Sequence, residues 1–252
     1  MSPDERTRVL ASLPDTGRRI ARLAVADEIV WLKDFKLPSP SKWEKVQRAA
    51  ARTTGLELLL PVPSLQGDKG AAHEIEAIRR FRAIGIRVPE VLWSEGGRVA
   101  LSDIGETLRE IESRGGGDAI RRIALSAAED LSHAHRSGLA HGRPILRNMT
   151  WEGKSVGFQN FEGQPLAIMS LPAAQARDIV LVLVSLGRRN GGDVVKEVFE
   201  RYATGMNHAV GEELQRLVRI ARPLMASPKS LVFKIGNRDM AGIVRMLDAI
   251  TR

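Results

Sequence analysis

The chain has 252 residues, enough for one large domain or two small lobes with a sizeable core, and 43% hydrophobic against 27% charged residues is ordinary for a globular protein. The absence of cysteine excludes a disulfide framework, a thiolate nucleophile and a zinc-ribbon site. A formal charge of +8 favours polyanionic partners. The basic residues are scattered, as in Arg79-Arg80, Arg121-Arg122 and Arg188-Arg189, so nucleic acid has only bulk charge in its favour. Met1 to Arg6 carries no apolar leader, and the longest apolar run, Ile179 to Leu186, is too short to span a bilayer. A cytoplasmic protein is expected, with basicity that suits the inner face of a membrane.

In chain order, the charged stretch Asp4 to Ser12 reads as a short helix or loose arm. Arg18 to Val25 alternates apolar and polar, Ala26-Asp27 makes a turn, and Glu28 to Phe35 alternates again, which predicts a hairpin. Leu37 to Ser41 is a breaker rich in Pro. Ser41 with Glu44 forms a capping box for a helix from Lys42 to about Thr53, which Gly55 ends. Leu58 to Pro63 reads as a buried segment, and Gly67-Asp68-Lys69-Gly70 as a loop before a helix from Ala71 to Ile84. That helix sets Ile75, Ile78 and Phe81 on one face and closes at Gly85.

Val88 to Trp93 and Arg98 to Leu101 predict two further strands turned by Gly96-Gly97. From Glu106 the pattern becomes helical. Strands followed by helices predict two lobes, residues 1–105 and 106–252, with a hinge near 101–105. Gly115 to Gly117 is a turn. A long helix from Asp118 to about Ser137 keeps Ile123, Ala127, Leu131 and Ala134 in register, with Gly138 as its cap. Then come His141-Gly142-Arg143 and, closing the same loop, Asn148. Two short strands follow, Met149 to Trp151 and Val156 to Phe158, and after them Asn160-Phe161-Glu162-Gly163. A buried helix over Arg177 to Leu186 and helices at 193–207, 211–226 and 238–251 complete the chain.

A His, a polar residue two positions on and an Asn five further on has the spacing of H-x-D-x-x-x-x-N. A polar residue before Phe in the next segment has the place of D-F-G. Together with Val30-Trp31-Leu32-Lys33, these motifs resemble the protein-kinase-like superfamily. The resemblance runs from about Arg18 to the C-terminus and is nearest to the small bacterial branch of lipopolysaccharide core (Kdo/heptose) kinases and KEOPS-type kinases. It implies an α+β, bilobal fold: a small antiparallel β-sheet lobe and a mostly helical lobe carrying the loop 141–163.

The resemblance also implies roles. Lys33 would reach ATP phosphates and pair with Glu74 on the following helix, with Glu76 as an alternative facing another side. Backbone around Leu101, Ser102 and Asp103 would meet an adenine edge. Asn148 and Asn160 would be the Mg²⁺ ligands, and His141 a strut of the catalytic loop. Asp178 would tether that loop.

The departures concern the working acids. Arg143 stands where the family keeps its Asp base, and a guanidinium stays protonated at working pH. Asn160 replaces the metal-binding Asp, and a neutral amide is a weaker ligand for a hard cation. Glu162 stands at the family's Gly position, and two residues along an extended strand should place it elsewhere in space. The hairpin turn at Val25-Ala26-Asp27 lacks a glycine-rich phosphate loop. Seventeen residues lie between Asn160 and Asp178, too few for a long peptide-binding segment, which favours a small or lipid-linked acceptor.

Three functions are therefore expected in competition. The first is a pseudokinase that binds nucleotide or a protein partner, with ATP and Mg²⁺ binding weak or lost. The second is an active ATP-dependent phosphotransferase acting on a lipopolysaccharide-type sugar or other small or lipid-linked acceptor, with an anionic lipid or lipopolysaccharide precursor as its partner. The third is a basic scaffold.

Overall fold

The computed structural model describes residues 17–25, 28–37, 44–226 and 237–251. The predicted N-terminal arm, the Ala26-Asp27 turn, the Pro-rich breaker beyond Leu37 and the Ser41 cap lie outside the described residues.

The first part of the chain builds a four-stranded antiparallel sheet in the order β1-β2-β4-β3, from β1 (Ile20–Val25), β2 (Glu28–Asp34), β3 (Val91–Glu95) and β4 (Arg98–Ser102). Alternation decides the two faces. Val30 and Leu32 of β2 are buried with Val25 and Ala100 on one side, while Trp31 packs toward the main core on the other. Gly96 and Gly97, with φ of 54° and 74°, make the tight turn between β3 and β4.

Two helices accompany this sheet, α1 (Glu44–Thr54) and α2 (Gly67–Ala83). The predicted Gly67 to Gly70 loop is in fact the first turn of α2. Gly70 lies so close to the preceding segment that a Cβ there would sit 2.5 Å from the Leu65 carbonyl oxygen and 2.7 Å from a Phe35 ring carbon. Its glycine marks close packing, which the sequence pattern cannot distinguish from looseness. Leu58, expected in a buried segment, is buried, within a single 3₁₀ turn over Glu57–Leu59.

The chain leaves β4 at Ser102 and at once pairs β5 (Glu106–Thr107) with β6 (Met149–Trp151), which in turn pairs with β7 (Val156–Phe158). Glu106-Thr107 was expected to be helical; the helix α3 (Leu108–Ser113) starts one step later because Thr107 and Glu110 form a capping box. The long helix α4 (Gly117–Arg136) buries Ile120, Ile123, Ala124, Ala127, Leu131 and Ala134, the stripe its sequence spacing predicts.

Helix α5 (Leu171–Gly187) begins six residues before Arg177, where the sequence reading starts it. Ser170 accepts a hydrogen bond from the Ala173 amide and Pro172 occupies the first turn, so the cap lies upstream of the apolar run. Its Ile179, Val182, Leu183 and Leu186 are almost wholly buried. α6 (Gly192–Ala203), α7 (His208–Ala226) and α8 (Asn237–Thr251) pack around it. The architecture is α+β: a small four-stranded antiparallel sheet with its helices, then a mostly helical part carrying a three-stranded sheet. Among the described residues no helix is long and apolar enough to cross a membrane.

Candidate functional site

The hairpin register sets Lys33 opposite Ile20 on β1 and opposite Val99 on β4, deep in the sheet. Helix α2 turns Glu74, Ile78 and Phe81 inward at i, i+4 and i+7 spacing, and all three are buried. Lys33 Nζ lies 2.8 Å from Glu74 Oε1, so the pairing expected from the resemblance is present in space, while Glu76 is instead exposed and bound to Arg79. Lys33 makes two further contacts, 2.9 Å to Asn160 Oδ1 and 3.1 Å to Glu162 Oε1. An ammonium has three N–H donors, and Lys33 has an acceptor for each.

Glu162 is the residue the sequence misplaced. Asn160 has φ of 70°, the one positive φ outside glycine among the described residues, so the chain turns there instead of running on extended. The turn buries Phe161 against Phe81 and His141, with ring centroids 4.7 and 4.5 Å apart, and swings the Glu162 carboxylate back over Lys33. Arg19, just ahead of β1, closes on its other oxygen at 2.8 Å. Burial by itself raises the Glu162 carboxyl, but Lys33 and Arg19 outweigh burial and hold it below the usual carboxylate range. Lys33 and Arg19 thus face Glu74 and Glu162, and the formal charges cancel.

The loop that follows α4 is pinned by Asp178 of α5. Its Oδ2 accepts from the His141 amide at 2.6 Å and its Oδ1 from the Gly142 amide at 2.9 Å. Gly142 has φ of 88°, a conformation that L side chains rarely adopt. His135 Nε2 lies 3.4 Å from the same carboxylate, and Tyr202 meets His135 Nδ1 at 2.7 Å. His141 is 2% exposed among Phe81, Phe158 and Phe161, and burial drives its pKa down to about 4, leaving a neutral ring that supports the loop from within. Its Nδ1 accepts from the Arg143 amide at 3.2 Å.

Arg143, which the resemblance sets in place of a base, keeps exposed surface while lining a cavity beside the loop, and a guanidinium cannot accept a proton. Asn148 and Asn160, the pair expected to hold Mg²⁺, are turned toward each other. Asn148 Nδ2 donates to the Arg143 carbonyl at 2.9 Å, and Asn160 Nδ2 lies 3.4 Å from Asn148 Oδ1. The carboxylates nearby are engaged by cations, Glu162 by Arg19 and Lys33 and Glu74 by Lys33. Among the described residues no group of three His, Cys, Asp or Glu is placed to hold a metal. Mg²⁺ wants about six oxygen ligands with carboxylate charge, and these residues do not fit it.

The adenine side is also taken. Ser102 donates its amide to the Glu90 carbonyl at 2.9 Å and Asp103 to the Ile29 carbonyl at 3.3 Å, so backbone donors of the expected hinge are spent within the protein. Leu101 is paired on both sides, with Trp31 and Val91. Trp31 lies two residues before Lys33 and therefore on the same face of β2. Its indole Nε1 donates to Asp103 Oδ1 at 2.6 Å, which ties β2 to the segment just after β4. As arranged, the cleft does not fit ATP.

Arg19 and Trp31 were not singled out from sequence. Their signal was available only through the hairpin register and the two-residue period of β2, once Lys33 is taken as the reference point. A cavity of about 470 Å³ opens beside the loop and reaches the site through Asn160 and Glu162, lined also by Glu44 and by Arg109, Arg143, Arg147, Arg177 and Arg188. Of these arginines, the sequence marked Arg143 alone as a site residue.

No protein-family model and no curated protein matches the chain. Among solved structures, a choline/ethanolamine kinase family protein from Mesorhizobium loti is similar to it over 99% of this chain and 99% of that one, with 14% sequence identity and a TM-score of 0.47.

Proposed function

We propose that this protein is a kinase-like binding protein that has exchanged metal-assisted phosphotransfer for a self-contained polar core, with its nucleotide cleft filled by its own side chains. The observation that carries this reading is the saturation of Lys33. All three of its donors are engaged by Glu74, Asn160 and Glu162, with Glu162 braced from behind by Arg19. Phosphoryl transfer is almost wholly positioning and charge neutralisation, and here the neutralising cations are already neutralised. Arg143 in place of a base removes the remaining chemical group. The protein would then act through partner binding, the non-catalytic branch of the pseudokinase reading.

The test is turnover. With ATP, Mg²⁺ and a panel of sugar and lipid-linked hydroxyl acceptors, the wild type should form no ADP above background. ADP formation that disappears in Lys33→Ala would overturn the proposal. The arginine-lined cavity favours a second reading, an ATP-dependent phosphotransferase acting on a lipopolysaccharide-type or other anionic acceptor, which requires ADP formation in that same assay.

A further inference from the structure

The cavity beside Arg143 gathers guanidinium groups from separate parts of the chain: Arg143 and Arg147 from the loop before β6, and Arg177 from α5. Two other lining arginines have acids of their own, Arg109 with Glu112 at 3.4 Å and Arg188 with Asp239 at 2.6 Å. Two carboxylates line the cavity as well: Glu162, which is committed to Arg19 and Lys33, and Glu44 at the start of α1. Arg143, Arg147 and Arg177 have no carboxylate within ion-pair distance among the described residues. Burial above all, and then Arg147, pulls the Arg143 guanidinium down from its ordinary value, against the opposing pull of Glu162. Burial likewise pulls Arg177 down, and Arg143 adds to that against the opposing pull of Asp178.

Like charges brought together in a partly dry cavity repel, and folding does not collect them without a compensating ligand at little cost. Arg177 adds direction. Its Nη1 donates to the Leu58 carbonyl at 2.5 Å, which fixes the side chain, while its buried Nε has no hydrogen-bond partner. Ile145, Leu146, Leu181 and Val184 supply apolar wall, which strengthens any charge-assisted bond made inside. The cavity volume of about 470 Å³ is in the range of small-molecule sites.

We propose that this cavity is a binding site for a multiply charged phosphoryl group, carried by a small molecule or by a lipid headgroup, and held by Arg143, Arg147 and Arg177. Planar guanidinium forks match phosphoryl oxygens in pairs, which a lysine cluster does not. The cavity borders the Lys33 cluster through Asn160 and Glu162, but the three arginines, and not Lys33, carry the inference.

Binding of inorganic pyrophosphate measured by titration calorimetry, and co-sedimentation with phosphatidylcholine vesicles with and without phosphatidic acid, distinguish the two sources. One of these probes should bind, with affinity that falls as salt rises. The double variant Arg143→Gln with Arg147→Gln should lose about tenfold or more per guanidinium, the scale of a charge-assisted hydrogen bond. Both residues keep exposed surface and neither side chain makes an ion pair or hydrogen bond among the described residues, so the variant should keep its melting temperature. Arg79→Gln, an exposed arginine outside the cavity, should bind as wild type does. The proposal is overturned if neither probe binds, if the double variant binds like the wild type, or if Arg79→Gln weakens binding equally, which would indicate bulk charge alone.

Discussion

Lys33→Met should act on stability, because Lys33 is the counter-ion of a carboxylate with no other support. Glu74 has no exposed surface, its Oε1 is held by Lys33 at 2.8 Å, and its Oε2 is buried without a hydrogen-bond partner. Removing one member of a buried pair and leaving the other costs about 3–5 kcal/mol. For a chain of this length that corresponds to a fall of roughly 6–20 °C in Tm. Replacing both partners, Lys33→Met with Glu74→Leu, removes the stranded charge. The double variant should recover most of the loss, apart from about 1–2 kcal/mol for the donors withdrawn from Asn160 and Glu162. Urea denaturation of the wild type, both single variants and the double completes the cycle, with an expected coupling energy of about 2 kcal/mol or more. A Lys33→Met protein within about 1 kcal/mol of wild type would refute the reasoning, as would a double variant no more stable than the single.

Other consequences concern the loop and the acid limb. Asp178→Asn should destabilise by about 2–4 kcal/mol in denaturant, because an amide NH₂ would then face a main-chain N–H now held at 2.6 or 2.9 Å. Since the folded pKa of His141 lies at about 4, below its ordinary 6.5, the unfolded chain binds the proton better between those values. Stability should therefore fall as pH drops from 6.5 toward 4, and His141→Gln should flatten that slope in denaturation curves taken across the window. Glu162 has the opposite kind of group but the same sign of effect. Its carboxyl is held below 4.5 by Lys33 and Arg19 against the pull of burial, so its stabilisation is present above 4.5 and lost as pH falls further; Glu162→Gln should remove that part of the acid transition.

The elements were legible where local chemistry decides them. Gly96-Gly97 between alternating segments gave a two-residue hairpin turn, and the short apolar runs at Met149 and Val156 became the paired strands they resemble. Boundaries were lost where a residue had two readings. Gly67 and Gly70 looked like a flexible loop because glycine signals both freedom and close approach, and only the contact with Leu65 and Phe35 separates the two. Of the site, the residues whose partners follow from strand period and helix face came out in the right neighbourhood, Lys33 with Glu74 and Asp178 with the 141–142 backbone. Glu162 was misplaced because its position depends on one left-handed residue, Asn160, which sequence pattern does not flag. Arg147, Arg177 and Arg109 were invisible as a group, since their meeting depends on how a loop and two helices pack.

The most direct measurement of the central claim is calorimetric titration of ATP, with and without Mg²⁺, into the wild type and into Trp31→Ala combined with Glu162→Ala. On the proposed reading, the indole held by Asp103 and the carboxylate held by Arg19 and Lys33 fill the cleft. The account predicts no binding by the wild type under either condition, and a gain of Mg²⁺-independent binding when both obstructions are removed and Lys33 has a donor to spare. Tight, Mg²⁺-dependent ATP binding by the wild type would contradict it.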